Sequence, residues 1–462
     1  MIHIDYELKP TLLFPAVQRL FTLSGQKIHH LQKRWDPAKG TPVFTIKGEY
    51  TSRGWTEWTQ GFQFGSAIYQ YEVTRDPVFL DMGRHSTVDF MASHITHTGV
   101  HDHGFNNVST YGNLLRLMAS GLIPYDPWEK NFYELALKAT GAVQAMRWTD
   151  LTPHHGYIYS FNGPHSLFAD TIRSLRALAL GHQLGHKLMG EMDRPISLLE
   201  RLLQHAETTA RYAVYYGEGR DAYDLRGRTA HESIFNVKDG AYRCPSSQQG
   251  YSPFTTWTRG LGWVLCGYPE QIEFLETLSE AELAPFGGKE KILARFLGVA
   301  EAVADFYLQY TPTDGIPYWD TGAPGLVHLG DYMDRPAEPY NDHDPVDSSA
   351  AAICAQGLLR LGSYLKRTGQ PEKGTRYYQA ALTIAQTLFQ EPYLSVDSTH
   401  EGLILHSVYH RPNGWDHIPP GRKVPCGEAS MWGDYHAREL AVYLYREAHC
   451  QPNLRFFDIR FQ

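Results

Sequence analysis

The chain has 462 residues, five cysteines and a net charge of -8, from 42 Lys plus Arg against 50 Asp plus Glu. A chain this long buries a sizeable core without staples. An odd number of cysteines with no C-x-x-C pair argues against a disulfide framework, so Cys244, Cys266, Cys354, Cys426 and Cys450 read as free thiols. The acidic balance excludes a basic nucleic-acid footprint, and no apolar run reaches the ~20 residues of a membrane span.

In chain order, residues 1–21 have no basic leader, and Lys9, Pro10, Pro15 and Arg19 interrupt their apolar stretch. They do not read as a signal peptide, which makes a cytoplasmic location the expectation, or a periplasmic one if a leader has been trimmed. Helical spacing then recurs at 61–72, 76–94 and 107–121, and along Phe132, Leu135, Ala139, Val143 and Met146. It continues at 170–187, along Ile196, Leu199, Leu203, Ala206, Ala210 and Ala213, and at 258–277. Ile292, Phe296, Val299, Val303 and Phe306 form another stripe, followed by 347–366, by Tyr377, Ala381, Ile384 and Leu388, and by 433–448.

Strand-like alternation is short, around 156–161 and 403–409. Nothing reads as a linker. About ten to twelve helices of ordinary length in one domain must each bury an apolar stripe. An (α/α)6 toroid of hairpins is one solution and a stacked solenoid another. Gly-aromatic steps such as Gly61-Phe62, Gly104-Phe105 and Gly262-Trp263 favour hairpins meeting at a shared centre.

Four clusters could carry chemistry. His94, His97, His101, Asp102 and His103 invite a metal reading, but their spacing matches no zinc signature. Surface and supporting histidines around one functional carboxylate is the preferred reading, with no metal or other cofactor. Gly104 would let the backbone turn and hold Asp102 at a loop tip. Asp170, at the start of an apolar helix, reads locally as an N-cap. Gln248-Gln249-Gly250-Tyr251 precedes Trp257, Arg259 and Trp263. The planar fork of Arg259 suits a uronate carboxylate, and a structural pairing is equally compatible with its surroundings. Asp347, before Ser348-Ser349, is expected to be structural.

HDHGF at 101–105, FAD at 168–170, QQGY…TWTRGLGW at 248–263, DGIPYWD at 314–320, DSSAAAICAQGLL at 347–359 and MWGDY at 431–435 follow one another in this order. Together they resemble the unsaturated glucuronyl hydrolases of glycoside hydrolase family 88, and more distantly the unsaturated rhamnogalacturonyl hydrolases. The resemblance runs from about Trp58 to about Leu444. It implies an all-α, (α/α)6-barrel catalytic domain over 46–462, with 1–45 as an N-terminal extension or first helix packing on the barrel.

The implied activity is removal of a 4,5-unsaturated uronic acid from the non-reducing end of lyase-generated oligosaccharides. Asp170 matches the acid/base aspartate and Asp102 its partner. His231, Gln249, Arg259 and Trp263 match substrate-binding positions, and Trp58 and His101 join them. Gln60, Gln63 and Phe161 depart from the family pattern, and the stretch between Trp319 and Asp347 is longer than it. The implied partner is a small oligosaccharide, with no nucleic acid or membrane, and the protein a monomer or homodimer. A sugar isomerase or epimerase on the same barrel, recruiting His101, His103 and His231, is the alternative enzyme class. A non-catalytic carbohydrate-binding protein is a third reading, which the presence of both aspartates in motif context argues against.

Overall fold

The computed structural model describes residues 1–462 except Trp55, Thr56, Pro153, His154, Asp458, Arg460 and Gln462. Its helices alternate between an outer and an inner position. The outer ones are α1 (Pro10–Arg34), α3 (Pro77–Phe90), α5 (Pro127–Met146), α7 (Leu198–Tyr212), α9 (Lys289–Gln309) and α11 (Pro371–Leu388). The inner ones are α2 (Gln60–Thr74), α4 (His103–Asn107 running through the π-helical turn Val108–Gly112 into Asn113–Ala119) and α6 (Thr171–Ser174 with Arg176–Gln183). The inner set is completed by α8 (Thr258–Thr277), α10 (Ser348–Arg367) and α12 (Met431–Ala448).

Outer helices bury one stripe, whereas α4, α8 and α10 are buried almost along their whole length. That difference separates a helix packed on one side from one packed all round. The result is the expected all-α (α/α)6 barrel, with the chain's short antiparallel sheets confined to its loops.

Inner helices stand unusually close because glycines lie where they touch. A Cβ on Gly61 of α2 would come 2.2 Å from the carbonyl oxygen of Asn106 in α4, and one on Gly357 of α10 would come 2.3 Å from that of Leu265 in α8. Gly104 plays the same part. It sits inside α4, and its Cβ would meet the Ser174 carbonyl at 2.1 Å, so it serves close helix approach and not the loop turn expected of it.

Charged side chains are buried between the inner helices. Arg173 of α6 lies 3.1 Å from Glu270 of α8 and 2.9 Å from Glu439 of α12, while Arg360 of α10 pairs with Glu273 at 2.7 Å.

Several expected boundaries move. The 76–94 pattern splits into α3 and a short Ala92–Ile95 helix, and Ile196 belongs to a two-residue strand before α7, which Ser197 caps. The 403–409 alternation makes isolated bridges instead of a strand. At the other end of the chain, α1 packs on α2 and α12. Pro10 opens it at the first position, where a missing N–H is harmless, and Pro15 lies inside it.

Gly357 is remote from the cavity described below, so it tests the close packing alone. Gly357→Ala is expected to lower stability by about 1–3 kcal/mol through overpacking against backbone, read as a fall in Tm with activity per folded molecule unchanged.

Candidate active site

A cavity of about 190 Å³ opens where the N-terminal ends of inner helices converge. Trp58 precedes α2, Asp102 precedes α4, Asp170 precedes α6, and Trp257 and Arg259 bracket the start of α8; all line it. The partial positive charges at these helix ends favour an anion in the cavity, which offsets the net negative charge of the molecule.

Asp170 stands at the N-cap position of its helix but makes no side-chain capping bond. The capping role suggested by its place in the sequence is therefore not the one it plays. Its Oδ2 lies 3.5 Å from Nε2 of His101, and the same nitrogen is 3.7 Å from Oδ1 of Asp102. One imidazole thus bridges two buried carboxyls. Burial, helped by the nearby charge of Asp170 and opposed by His101, pushes the Asp102 carboxyl up to about 6. Burial pushes on Asp170 as well, but the hydrogen bond and charge of His101 outweigh it and hold this carboxyl below its ordinary value. His101 is itself raised, since the two carboxyls overcome its desolvation. The two carboxyls are thus set apart, Asp102 raised and Asp170 lowered, with the raised imidazole of His101 between them.

His231 is buried and its Nδ1 accepts from the backbone N–H groups of Gln248, at 3.0 Å, and Gln249, at 3.3 Å. This fixes the proton on Nε2, a buried donor with no hydrogen-bond partner among the described residues. Desolvation lowers the ring to about 4, so it is neutral. Arg259 lines the cavity, yet its terminal N–H groups are already donated. They reach Asp347 Oδ2 at 3.1 Å, the Val408 carbonyl, Gln249 Oε1 at 2.9 Å and the Tyr409 carbonyl at 2.8 Å. Of its two sequence readings the structural one is realised in this state, and its bond to Gln249 leaves that amide's NH₂ group to point elsewhere. Asp347 caps α10 through Ser349 N and Ala350 N, as expected of a structural residue. Trp58 stacks on Trp432 with ring centroids 5.1 Å apart, and Trp263 packs on Phe105 at 4.9 Å.

The histidines expected at the surface are mostly inside. His94, His101 and His103 are buried, and only His97 is half-exposed. His103 bridges Thr140 Oγ1, at 2.6 Å, and the His97 carbonyl, at 2.9 Å. Gln144 donates to the His101 carbonyl at 2.9 Å, and so does Ser174 Oγ at 2.6 Å. Arg147 adds a bond to the Thr98 carbonyl. These groups clamp the 97–103 segment that carries His101 and Asp102. The sequence held a signal for them: Thr140 and Gln144 continue the buried stripe of Tyr133 and Leu137 on α5, polar residues on a face meant for the core. Tyr409, His410 and Trp415 also line the cavity, from a loop with no motif to announce them.

His101, Asp102 and Asp170 each offer one ligand atom within 4.8 Å of the others. This is a tighter cluster than the histidine spacing in the sequence suggested.

Buried paired carboxyls at the end of an (α/α)6 barrel are the equipment of a glycoside hydrolase. No protein-family model matches the chain. Over 386 residues it is 24% identical to the unsaturated glucuronyl hydrolase of Formosa agariphila, spanning 83% of this chain and 78% of that one. The crystal structure of the unsaturated glucuronyl hydrolase of Bacillus sp. GL1 matches with a TM-score of 0.70 at 23% identity, covering 94% of this chain and 97% of that one. An Asp-to-Asn variant of the Streptococcus agalactiae enzyme, complexed with dGlcA-GalNAc6S, matches at 0.61 and 18% identity, covering 93% and 92%. In sequence and in fold the chain is thus similar to unsaturated glucuronyl hydrolases.

The raised carboxyl of Asp102 makes a stability prediction. A folded-state value above the ordinary one means that ionised Asp102 costs stability above pH ~6, and that the cost fades as pH falls toward ~4. Asp102→Asn is therefore expected to stabilise the protein by about 1–3 kcal/mol at pH 7.5, with the gain lost below pH ~4. Thermal melts at the two pH values check the sign.

Proposed function

We propose that the protein hydrates the C4=C5 bond of a 4,5-unsaturated uronic acid at the non-reducing end of lyase-generated oligosaccharides and so releases the remainder. The observation that carries this reading is the pair of buried carboxyls bridged by a single imidazole nitrogen. Their ligand atoms lie within 4.8 Å, closer than the roughly 6.5–9.5 Å kept by an inverting pair with a water between them. Such an arrangement suits one group acting in turn as acid and base, with a neighbour to tune it.

The unsaturated uronate is an enol ether. Protonation at C4 places positive charge on C5 beside the ring oxygen, and water adds there. The hemiketal opens to a ketone at C5, and the hemiacetal left at C1 collapses to release the aglycone. Asp170 gives the proton to C4 and then takes one from the attacking water. His101 favours the ionised form of Asp170, and a bound uronate adds a negative charge in a buried space and raises its proton affinity. His101, whose proton affinity the two carboxyls raise, stands 3.5 Å from Asp170 as a nearby proton source. His231 Nε2 and the Gln249 amide offer neutral donors to the uronate, while Trp58 and Trp263 supply aromatic walls.

The direct assay is loss of the ultraviolet absorbance of the conjugated carboxylate. Asp170→Asn is expected to cost at least ~10²-fold in turnover, and near-wild-type rates in a folded variant would remove the assignment. Dialysis against a chelator should leave activity intact, whereas a loss restored by zinc would turn the same three residues into a metal site.

Isotopes test the route. Heavy-oxygen water should label C5 of the open product and deuterium oxide should label C4, while a saturated glucuronide stays uncut. Label at C1 would point to ordinary glycoside hydrolysis instead.

A further inference from the structure

The 320–346 stretch, longer than the family pattern, does not line the cavity, yet it is tied to two of the cavity's walls. At its start, Asp320 Oδ2 accepts from the Tyr251 N–H at 2.8 Å, next to Gln248 and Gln249, and Thr258 N–H donates to the Trp319 carbonyl at 3.1 Å. Near its end, the Tyr340 ring meets His406 edge-on at 4.8 Å, and Arg422 donates to the Tyr340 carbonyl at 2.9 Å. His406 lies in the segment that delivers Tyr409 and His410 to the cavity. Its backbone is left-handed, with φ of 66°, so its conformation depends on such packing. The stretch is folded on its own account. The Trp319 indole donates to Asp344 at 2.9 Å, and Asn341 Nδ2 reaches the carbonyls of Glu338 and Asp344 at 2.7 Å.

This bridge leaves two partly exposed aromatic rings on segments that adjoin the cavity lining. Tyr251, two residues after Gln249, is 52% exposed and makes no ring contact among the described residues, and Tyr340, with His406 on its edge and the Arg422 guanidinium 5.5 Å from its centroid, is 49% exposed. If the terminal uronate occupies the cavity, as in the reading above on which this inference rests, the rest of the oligosaccharide extends out over the segments that adjoin the lining. We propose that Tyr251 and Tyr340 form a sugar-stacking platform for the residues beyond the released uronate, built by the long 320–346 stretch, so that the protein favours oligosaccharides longer than a disaccharide. Tyrosine suits the task, since it offers a flat apolar face with little side-chain freedom to lose and a polar tip in water.

The test compares unsaturated di- and tetrasaccharides from one lyase digest of the same polysaccharide. Tyr251→Ala and Tyr340→Ala are each expected to raise KM for the tetrasaccharide about five- to tenfold, the scale of one lost aromatic stacking contact, and to leave the disaccharide within about twofold. Tyr340→Phe, which keeps the ring, should match wild type. Trp128→Ala, the loss of an aromatic that is 71% exposed and outside the cavity lining, should change neither substrate. Equal rises on both substrates, or none on the tetrasaccharide, overturn the platform, and thermal melts show whether a variant is folded. The two readings fail differently: a wild-type protein that bleaches neither substrate overturns the reaction and the platform with it, whereas one that bleaches the disaccharide but shows no chain-length effect in the variants overturns the platform alone.

Discussion

Most of the molecule is organised around charges buried between the inner helices. Arg173, Glu270, Glu439, Arg360 and Glu273 come from four of these helices and pair at distances between 2.7 and 3.8 Å, and Arg173 also bonds the His436 ring. Desolvation works against every one of these charges, and Arg173 is nevertheless raised well above its ordinary value while Glu270 and Glu439 are held below theirs. A buried network of this kind is weak evidence for extra stability, because removing water from each charge is costly. Its consequence is geometric. The charges can be satisfied together only when α6, α8, α10 and α12 are correctly set against one another, and Asp170 lies one helical turn before Arg173.

The same register delivers the chemistry. Because successive inner helices run in one direction, their N-terminal ends gather at one mouth of the barrel, where negative charge is favoured. Within it, a single nitrogen of His101 treats the two aspartates differently. Asp170 receives the closer hydrogen bond and loses its proton, while Asp102 keeps one up to about pH 6. The resemblance places the acid on Asp170 from motif alone; the geometry adds that His101 lowers the proton affinity of Asp170 relative to Asp102.

The site is held in place by buried polar residues, most of them outside the cavity lining. Gln144, Ser174, His103 and Arg147 hold the segment bearing His101 and Asp102, and Arg259 holds the 408–409 backbone and the Gln249 amide. Each is a buried polar group with committed partners, so each fixes backbone position at the cost of desolvation. Arg259 illustrates the limit of reading a side chain by its chemistry alone. A guanidinium fork suits a carboxylate wherever it is found, and here Asp347 is the carboxylate it has.

The sequence by itself determined the helices and their order, because an apolar stripe every three or four residues is a local property that survives any arrangement of the whole. It also marked Asp102, Asp170 and Trp58, which lie just ahead of helices, and, through the family resemblance, His231, Gln249 and Trp263. The tertiary structure alone decided that Gly104 serves a helix contact, that the histidines of 94–103 lie mostly inside, and that Tyr409, His410 and Trp415 reach the cavity. It also decided that burial raises Asp102 while His101 lowers Asp170. These outcomes depend on burial and on distances between residues tens to hundreds of positions apart, and a one-dimensional pattern carries neither.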